Sequence, residues 1–206
     1  MASFSLSQLF SGSSSDGTTG YNTSQVVQVL TFRPSPNHPN VTLLQREGSH
    51  GETTTLYAST TSKFTKPNIQ IFRVVATSTG LQQTAIGNAS FHLLSSTTDL
   101  SLHGHYITMK SGNLSSSYNF MYPPTGKMKW KSNFMGTALE LFDSAGLKLA
   151  RYKFKFSSTS GKRLEILVPC ADSFLDLIVL SGMAATVKER EKLKAASAAS
   201  EAVAGV

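Results

Sequence analysis

The chain has little of what would staple, spread or anchor a fold. One cysteine, Cys170, stands among 206 residues, so an intrachain disulfide framework is excluded. Charged residues make up only 15% while Ser and Thr are very common, which favours strands and turns over surface helices, since those usually need Glu and Lys. The acidic residues are scattered, so paired-carboxylate hydrolysis has no sequence support. No apolar run reaches the roughly 20 residues of a membrane-spanning helix. Met1 to Phe10 has no basic leader followed by an apolar core, so no signal or transit peptide is expected. With the single thiol, this points to an intracellular chain, cytoplasmic or peripheral at a membrane surface. Asn-x-Ser/Thr triplets begin at Asn22, Asn40, Asn88 and Asn113. A Ser/Thr-rich chain produces these by chance, and in that compartment they do not meet glycosylation machinery.

What is present is a succession of short β-branched and aromatic runs separated by Pro, Gly, Ser and Asn. Strand signals run over Val26–Phe32, Val41–Arg46, Thr53–Thr60, Asn68–Thr77, Thr84–Leu94, Leu100–Lys110 and Tyr118–Tyr122. The last third continues with Lys127–Asn133, Ala138–Phe142, Leu147–Phe156 and Arg163–Val168, with a hairpin turn at Asp143–Gly146. The pattern then changes. From Phe174 to Val187 the chain is apolar on every side of a helix, with Asp176 as its one charge. Such a helix is buried. Asp172 or Ser173 is the expected N-cap, and Gly182 is the place where a wall could approach closely. Lys188 to Lys194 reads as a solvated helical end. A closed sheet removes edge strands, and a wide one needs an apolar filling. The expected fold is therefore mainly β: a closed antiparallel barrel of about ten to twelve strands around one buried apolar C-terminal helix. Residues 1–24 are expected to form a disordered lead, 25–194 the barrel with its helix at about 172–194, and 195–206 a frayed tail.

The net charge of +7 is concentrated. Residues 127–163 hold nine Lys/Arg and two Asp/Glu. Within them, Lys127, Lys129 and Lys131 recur at period two, as do Arg151, Lys153 and Lys155. Residues two apart share a strand face. Met128 and Trp130 fall on the opposite face of the first strand, and Tyr152, Phe154 and Phe156 on that of the second. If the two strands lie close, six cations form one outward patch, which Lys162 and Arg163 could extend. Such a patch suits an anionic membrane lipid as peripheral partner. The bland alternative is ordinary outward charge on a scaffold or protein-interaction barrel with partners unknown. Nucleic acid is disfavoured, because single-strand binders expose aromatics beside their cations and here the aromatics alternate inward.

No cofactor or metal is expected. His103 and His105 would share a strand face and supply two corners of a site that normally needs four. Cys170 precedes the helix without a partner base, so an inert thiol is the simpler reading. Gly126-Lys127 and Gly161-Lys162 resemble the end of a phosphate loop, but Met121 and Phe156 stand where its first glycine belongs. Asp99, Ser101 and His103 lack a nucleophile elbow. No catalytic residues are assigned.

Residues from about 118 to 192 resemble the tubby C-terminal-like domains of fungi. The resemblance is carried in order by Tyr122 leading to Lys129-Trp130-Lys131, then Leu139-Glu140-Leu141 before an Asp/Gly turn, then Leu149-Ala150-Arg151-Tyr152. Leu164-Glu165-Ile166, the run Leu175 to Met183 and a charged tail complete it. It implies a closed barrel threaded by a hydrophobic C-terminal helix. The wider superfamily includes tubby proteins, which bind phosphoinositides, and the phospholipid scramblase-like and LURP-one-related proteins. The fungal group brings no activity with it, and tubby's lipid-binding positions find no residue-by-residue match here.

Overall fold

The computed structural model describes residues 26–204, apart from 49, 79, 93–94, 113–115, 124 and 155–160. The expected lead at 1–24 lies outside the described residues. The strands are β1 (Gln28–Pro34), β2 (Val41–Glu47), β3 (Thr53–Thr61), β4 (Ile69–Thr77), β5 (Gly80–Phe91) and β6 (Thr97–Leu102). They continue with β7 (His105–Ser111), β8 (Ser117–Tyr122), β9 (Gly126–Ser132), β10 (Ala138–Asp143), β11 (Lys148–Lys153) and β12 (Arg163–Ile166), and the helix α1 spans Asp172–Ala204. Each strand pairs antiparallel with its sequence neighbours, and β1 closes on β12 through Gln28–Ile166 to Thr31–Arg163. The result is a closed twelve-stranded up-and-down barrel with the helix inside it, as composition and pattern require.

The expected strand Leu100–Lys110 is in fact two strands, because His103 and Gly104 both take positive φ (48° and 78°) and turn the chain. His103 and His105 therefore do not share a strand face. β5 begins at Gly80, earlier than the expected Thr84. Its residues 80–84 pair only with β4, so the β4–β5 hairpin projects past the barrel rim with its side chains exposed.

Period-two alternation fills the interior. Met128 and Trp130 of β9 point in, and Tyr118, Phe120 and Tyr122 of β8 do the same. These meet Phe174, Leu177, Ile178, Val179, Leu180 and Met183 of the helix in one core. Two glycines make this fit possible. A Cβ on Gly87 of β5 would lie 2.7 Å from the Ser101 carbonyl oxygen and 3.1 Å from Leu180 Cδ2. A Cβ on Gly182 of α1 would lie 3.0 Å from Trp130 Cζ2.

The Leu175 N–H bonds the Ala171 carbonyl at 3.0 Å. Ala171 thus holds the N-cap position, and Asp172 sits in the first turn, where its charge complements the helix dipole. The helix continues to Ala204, past the expected end near Lys194. Ala195 to Ala204 is rich in alanine, the strongest helix former, which explains the continuation. No helix among the described residues is long and apolar enough to cross a membrane.

Candidate functional site

The outward face of β9 is a row of lysines. Lys127, Lys129 and Lys131 are all exposed because Met128 and Trp130 between them are committed to the core. None of the three has an ion partner among the described residues. The row ends at the β9–β10 turn, Asn133–Thr137. Asn133 builds this turn: its side-chain oxygen accepts the N–H groups of Thr137 (2.7 Å) and Ala138 (3.0 Å). At the tip, Phe134 is fully exposed and Met135 is 78% exposed.

The second cationic strand is differently disposed. β10 lies between β9 and β11, so the two cationic rows stand about 10 Å apart, twice the strand spacing. Glu140 of β10 faces Lys131 on one side and Arg151 on the other. It accepts from Lys148 Nζ at 2.8 Å and Arg151 Nε at 3.0 Å. Burial acts to raise the Glu140 carboxyl, but the hydrogen bonds and charges of Lys148 and Arg151 outweigh it and hold it below the usual carboxylate range. On the far side, Glu165 of β12 takes Lys153 Nζ at 2.6 Å and faces Arg151 Nη1 at 3.6 Å. Arg151 and Lys153 are therefore largely matched by carboxylates beneath them. Lys155 lies outside the described residues. The face is not one sheet of six cations: it is an unmatched row of three beside a balanced pair.

Between the β9–β10 turn and the ends of β11 and β12 lies an open pocket of about 400 Å³. Asn133, Thr137, Phe154 and Gly161 border it, with Glu140, Arg151, Lys153 and Arg163 as its charged lining. The pairing register places Arg163 directly beside Lys153. Sequence reasoning missed Phe134 and Met135, although large apolar residues in an Asn/Gly turn, where no inward direction exists, are a readable signal.

A second polar constellation ties the helix to the wall. Asp176, only 2% exposed, accepts from Tyr57 Oη at 2.7 Å, from Arg73 Nη2, and pairs with His103 Nε2 at 2.8 Å. Arg73 also holds Asp172 through Nη1 at 2.6 Å. At the other mouth Glu189 accepts from Tyr118 Oη at 2.7 Å. Glu189 is buried, contrary to the expectation of a solvated end from Lys188 onward, and Lys188 and Lys192 lie over the rings of Phe91 and Tyr118. The groups of each cluster satisfy one another. They act as two pins holding the helix in the barrel. Cys170, near the helix start, is pushed up to about 11 by burial and by the Asp172 carboxylate. Its thiol is protonated at neutral pH and a poor nucleophile. Among the described residues no three His, Cys, Asp or Glu side chains converge as metal ligands.

Burial, reinforced by the neighbouring carboxylates, raises the Tyr57 and Tyr118 phenols well above their usual range, and burial does the same for Tyr152. A phenol raised in the folded state stabilises the fold fully below its unfolded pKa of about 10. That stabilisation is lost as pH rises further, at about 1.4 kcal/mol per pH unit for each group. Phenolate absorbance should therefore show these three tyrosines ionising together with unfolding in alkali. Ionisation of all three near pH 10 in a protein with native circular dichroism would contradict this.

A family model, the family of unknown function DUF6593, matches residues 21–191. The chain belongs to that family. The matched span includes every strand, both pins and the part of the helix inside the barrel. No curated protein and no solved structure matches the chain.

Proposed function

We propose that this member of the DUF6593 family is a non-catalytic module that docks peripherally on anionic membrane surfaces through the outer face of β9. The observation that carries the reading is the juxtaposition of the unmatched row Lys127, Lys129 and Lys131 with the exposed apolar tip Phe134–Met135. Cations near an anionic leaflet contribute about 1 kcal/mol each. Immersing a phenylalanine side chain contributes a further ~1.5–3 kcal/mol. An apolar tip beside cations is also the division of labour seen in interfacial anchors. The resemblance to tubby-like domains supports the reading by analogy of fold only. Arg151 and Lys153 belong to the proposed surface as its second row, with less free charge to offer.

The test is co-sedimentation with phosphatidylcholine vesicles, with and without phosphatidylserine, at low and high salt. Binding should require the anionic lipid and weaken steeply with salt. Changing Lys127, Lys129 and Lys131 to Gln should lower the association constant about 100-fold, the equivalent of three unit contributions. Phe134→Ser should lower it while leaving the salt dependence in place. Absence of wild-type binding at low salt would remove this reading and leave a scaffold or protein-interaction barrel.

A further inference from the structure

We infer that the β4–β5 hairpin is a self-association edge: β5 of one copy pairs antiparallel with β5 of a second copy, about a twofold axis at Gln83. The inference is independent of the membrane docking proposed above.

The edge is open. β4 pairs with β3 only from Ile69 to Arg73, and β5 pairs with β6 only from Gly87 onward. Beyond those points the ladder of the two strands is with each other alone, from Arg73–Thr84 to Thr77–Gly80. The wall lets go of β5 at Ile86, whose carbonyl accepts the His103 N–H at 3.0 Å. A two-stranded ribbon by itself is marginally stable in water, and further strands are what stabilise it. Along the outer edge of such a ribbon, every second residue directs its N–H and C=O away from its hairpin partner. Leu81 to Ala85 of β5 offer the longer edge, and Val74 to Ala76 of β4 the shorter.

The edge is also unguarded. Exposed edges are ordinarily blunted by lysine, proline or an inward-pointing charge. No Lys, Arg, Asp, Glu or Pro stands between Arg73 and Asp99. Leu81 is 72% exposed and Val75 is 50% exposed. Val75 lies opposite Gln82, the neighbour of Leu81, so the two fall on opposite faces. Both faces of the ribbon thus hold an apolar side chain in water.

Charge and symmetry select a second copy as the occupant. Two chains of net charge +7 repel each other, and they meet at least cost where neither carries charge. The hairpin lies in the longest uncharged run of the sequence. A charged peptide would find nothing here to read. A twofold axis normal to the sheet sets a residue opposite itself. With Gln83 on that axis, Leu81 of each copy faces Ala85 of the other, so each exposed leucine packs on a small side chain. The two Gln83 amides, each with donors and an acceptor, meet side by side. The barrel rims then stand about 20 Å apart along the strands, and the barrels clear each other. Connections of an up-and-down barrel alternate between its ends, so this hairpin and the Phe134–Met135 turn lie at opposite mouths. Pairing of β5 therefore leaves the lysine row uncovered. An interface this small gives a dimer in exchange with monomer.

The experiment is sedimentation equilibrium of the full chain from micromolar to near-millimolar concentration. The mean mass should rise from 22.2 kDa toward twice that value. Leu81→Lys with Gln83→Lys places like charges along both paired edges and should raise the dissociation constant at least about tenfold. The thermal melt should stay unchanged, because both side chains lie beyond the rim. The register has its own test in a Cys170→Ala background. Opposed residues of an antiparallel pair have Cα atoms about 4.5–5.5 Å apart, so Gln83→Cys should oxidise to a disulfide-linked dimer. Gln82→Cys should not, since its copies would be offset by about 8 Å. A monomer at every concentration would overturn the inference. So would a dimer that the two lysines leave intact, which would use another surface, or growth beyond a dimer, which would mean head-to-tail β4–β5 pairing. If the lysine variant melts early, the cysteines decide: dimer at Gln83→Cys alone supports the edge, and no dimer or equal dimer at both positions overturns it.

Discussion

Asp176→Ala should destabilise the barrel by about 3–5 kcal/mol, the cost of removing one member of a buried charged network. The carboxylate is almost fully buried on the inner helix, yet it is matched by Tyr57, Arg73 and His103 from three different parts of the wall. Its removal leaves the Tyr57 hydroxyl hydrogen without an acceptor and takes one of two counter-charges from Arg73. Arg73 keeps Asp172 and is 25% exposed, so the effect should fall toward the lower end of that range. Tyr57→Phe removes the hydroxyl that donates to Asp176 at 2.7 Å and accepts from Arg73 Nη2 at 3.3 Å, and should cost about 1.5–3 kcal/mol. Asp172→Ala, at an 82% exposed position, should cost less than about 1 kcal/mol. Urea unfolding followed by Trp130 fluorescence would rank the three. An Asp176→Ala midpoint close to that of wild type would show that the pin contributes nothing net.

The pin also marks where the sequence stops being legible. The helix was readable because Phe174 to Val187 is apolar on all sides, and the strands because inward residues alternate with polar ones. Trp130 with Lys129 and Lys131 is the clearest instance. The closed barrel follows from having many strands and one filler. Asp176 could be seen only as a lone charge in an apolar run. Its partners are 73 to 119 residues away in sequence, and nothing local announces them. Glu189 was hidden for the opposite reason: it sits among charged neighbours and looks solvated. The β4–β5 projection escaped because Leu81, Gln82 and Gln83 bury neither face and give no alternation. In the candidate site, both cationic rows were readable residue by residue. Their separation was not, because only strand order shows that β10, with Glu140, comes between them. The same order brings Glu165 under Lys153, and so divides a nominal patch of six into free and matched parts.

Trp130→Ala should cost about 3–5 kcal/mol through the cavity it leaves, and its coupling to Gly182 tests why the glycine is there. Trp130 is fully buried, donates Nε1–H to Ser181 Oγ at 3.0 Å, and presents its ring edge to Gly182. Ser181 is itself held, donating to the Leu177 carbonyl at 2.7 Å, so the indole has little room to give way. Gly182→Ala would gain about 1 kcal/mol of helix propensity and lose it against a contact 3.0 Å from a fixed ring. Gly182→Leu cannot be accommodated in that space and should cost ~1–3 kcal/mol or more by overpacking. If the ring is the obstacle, pairing Trp130→Phe with Gly182→Ala should be more stable than the two single effects predict, with a coupling of about 0.5–3 kcal/mol. Strict additivity would mean that the helix clears the wall at Gly182 for some other reason. The outcome bears on function as well as stability. Trp130 points inward between Lys129 and Lys131, so the strand alternation that seats the indole against the helix is the same alternation that faces the lysine row outward. If β9 is the docking face proposed above, a folded Gly182→Leu variant that displaces the indole and distorts β9 should bind anionic vesicles more weakly without any change in its charge.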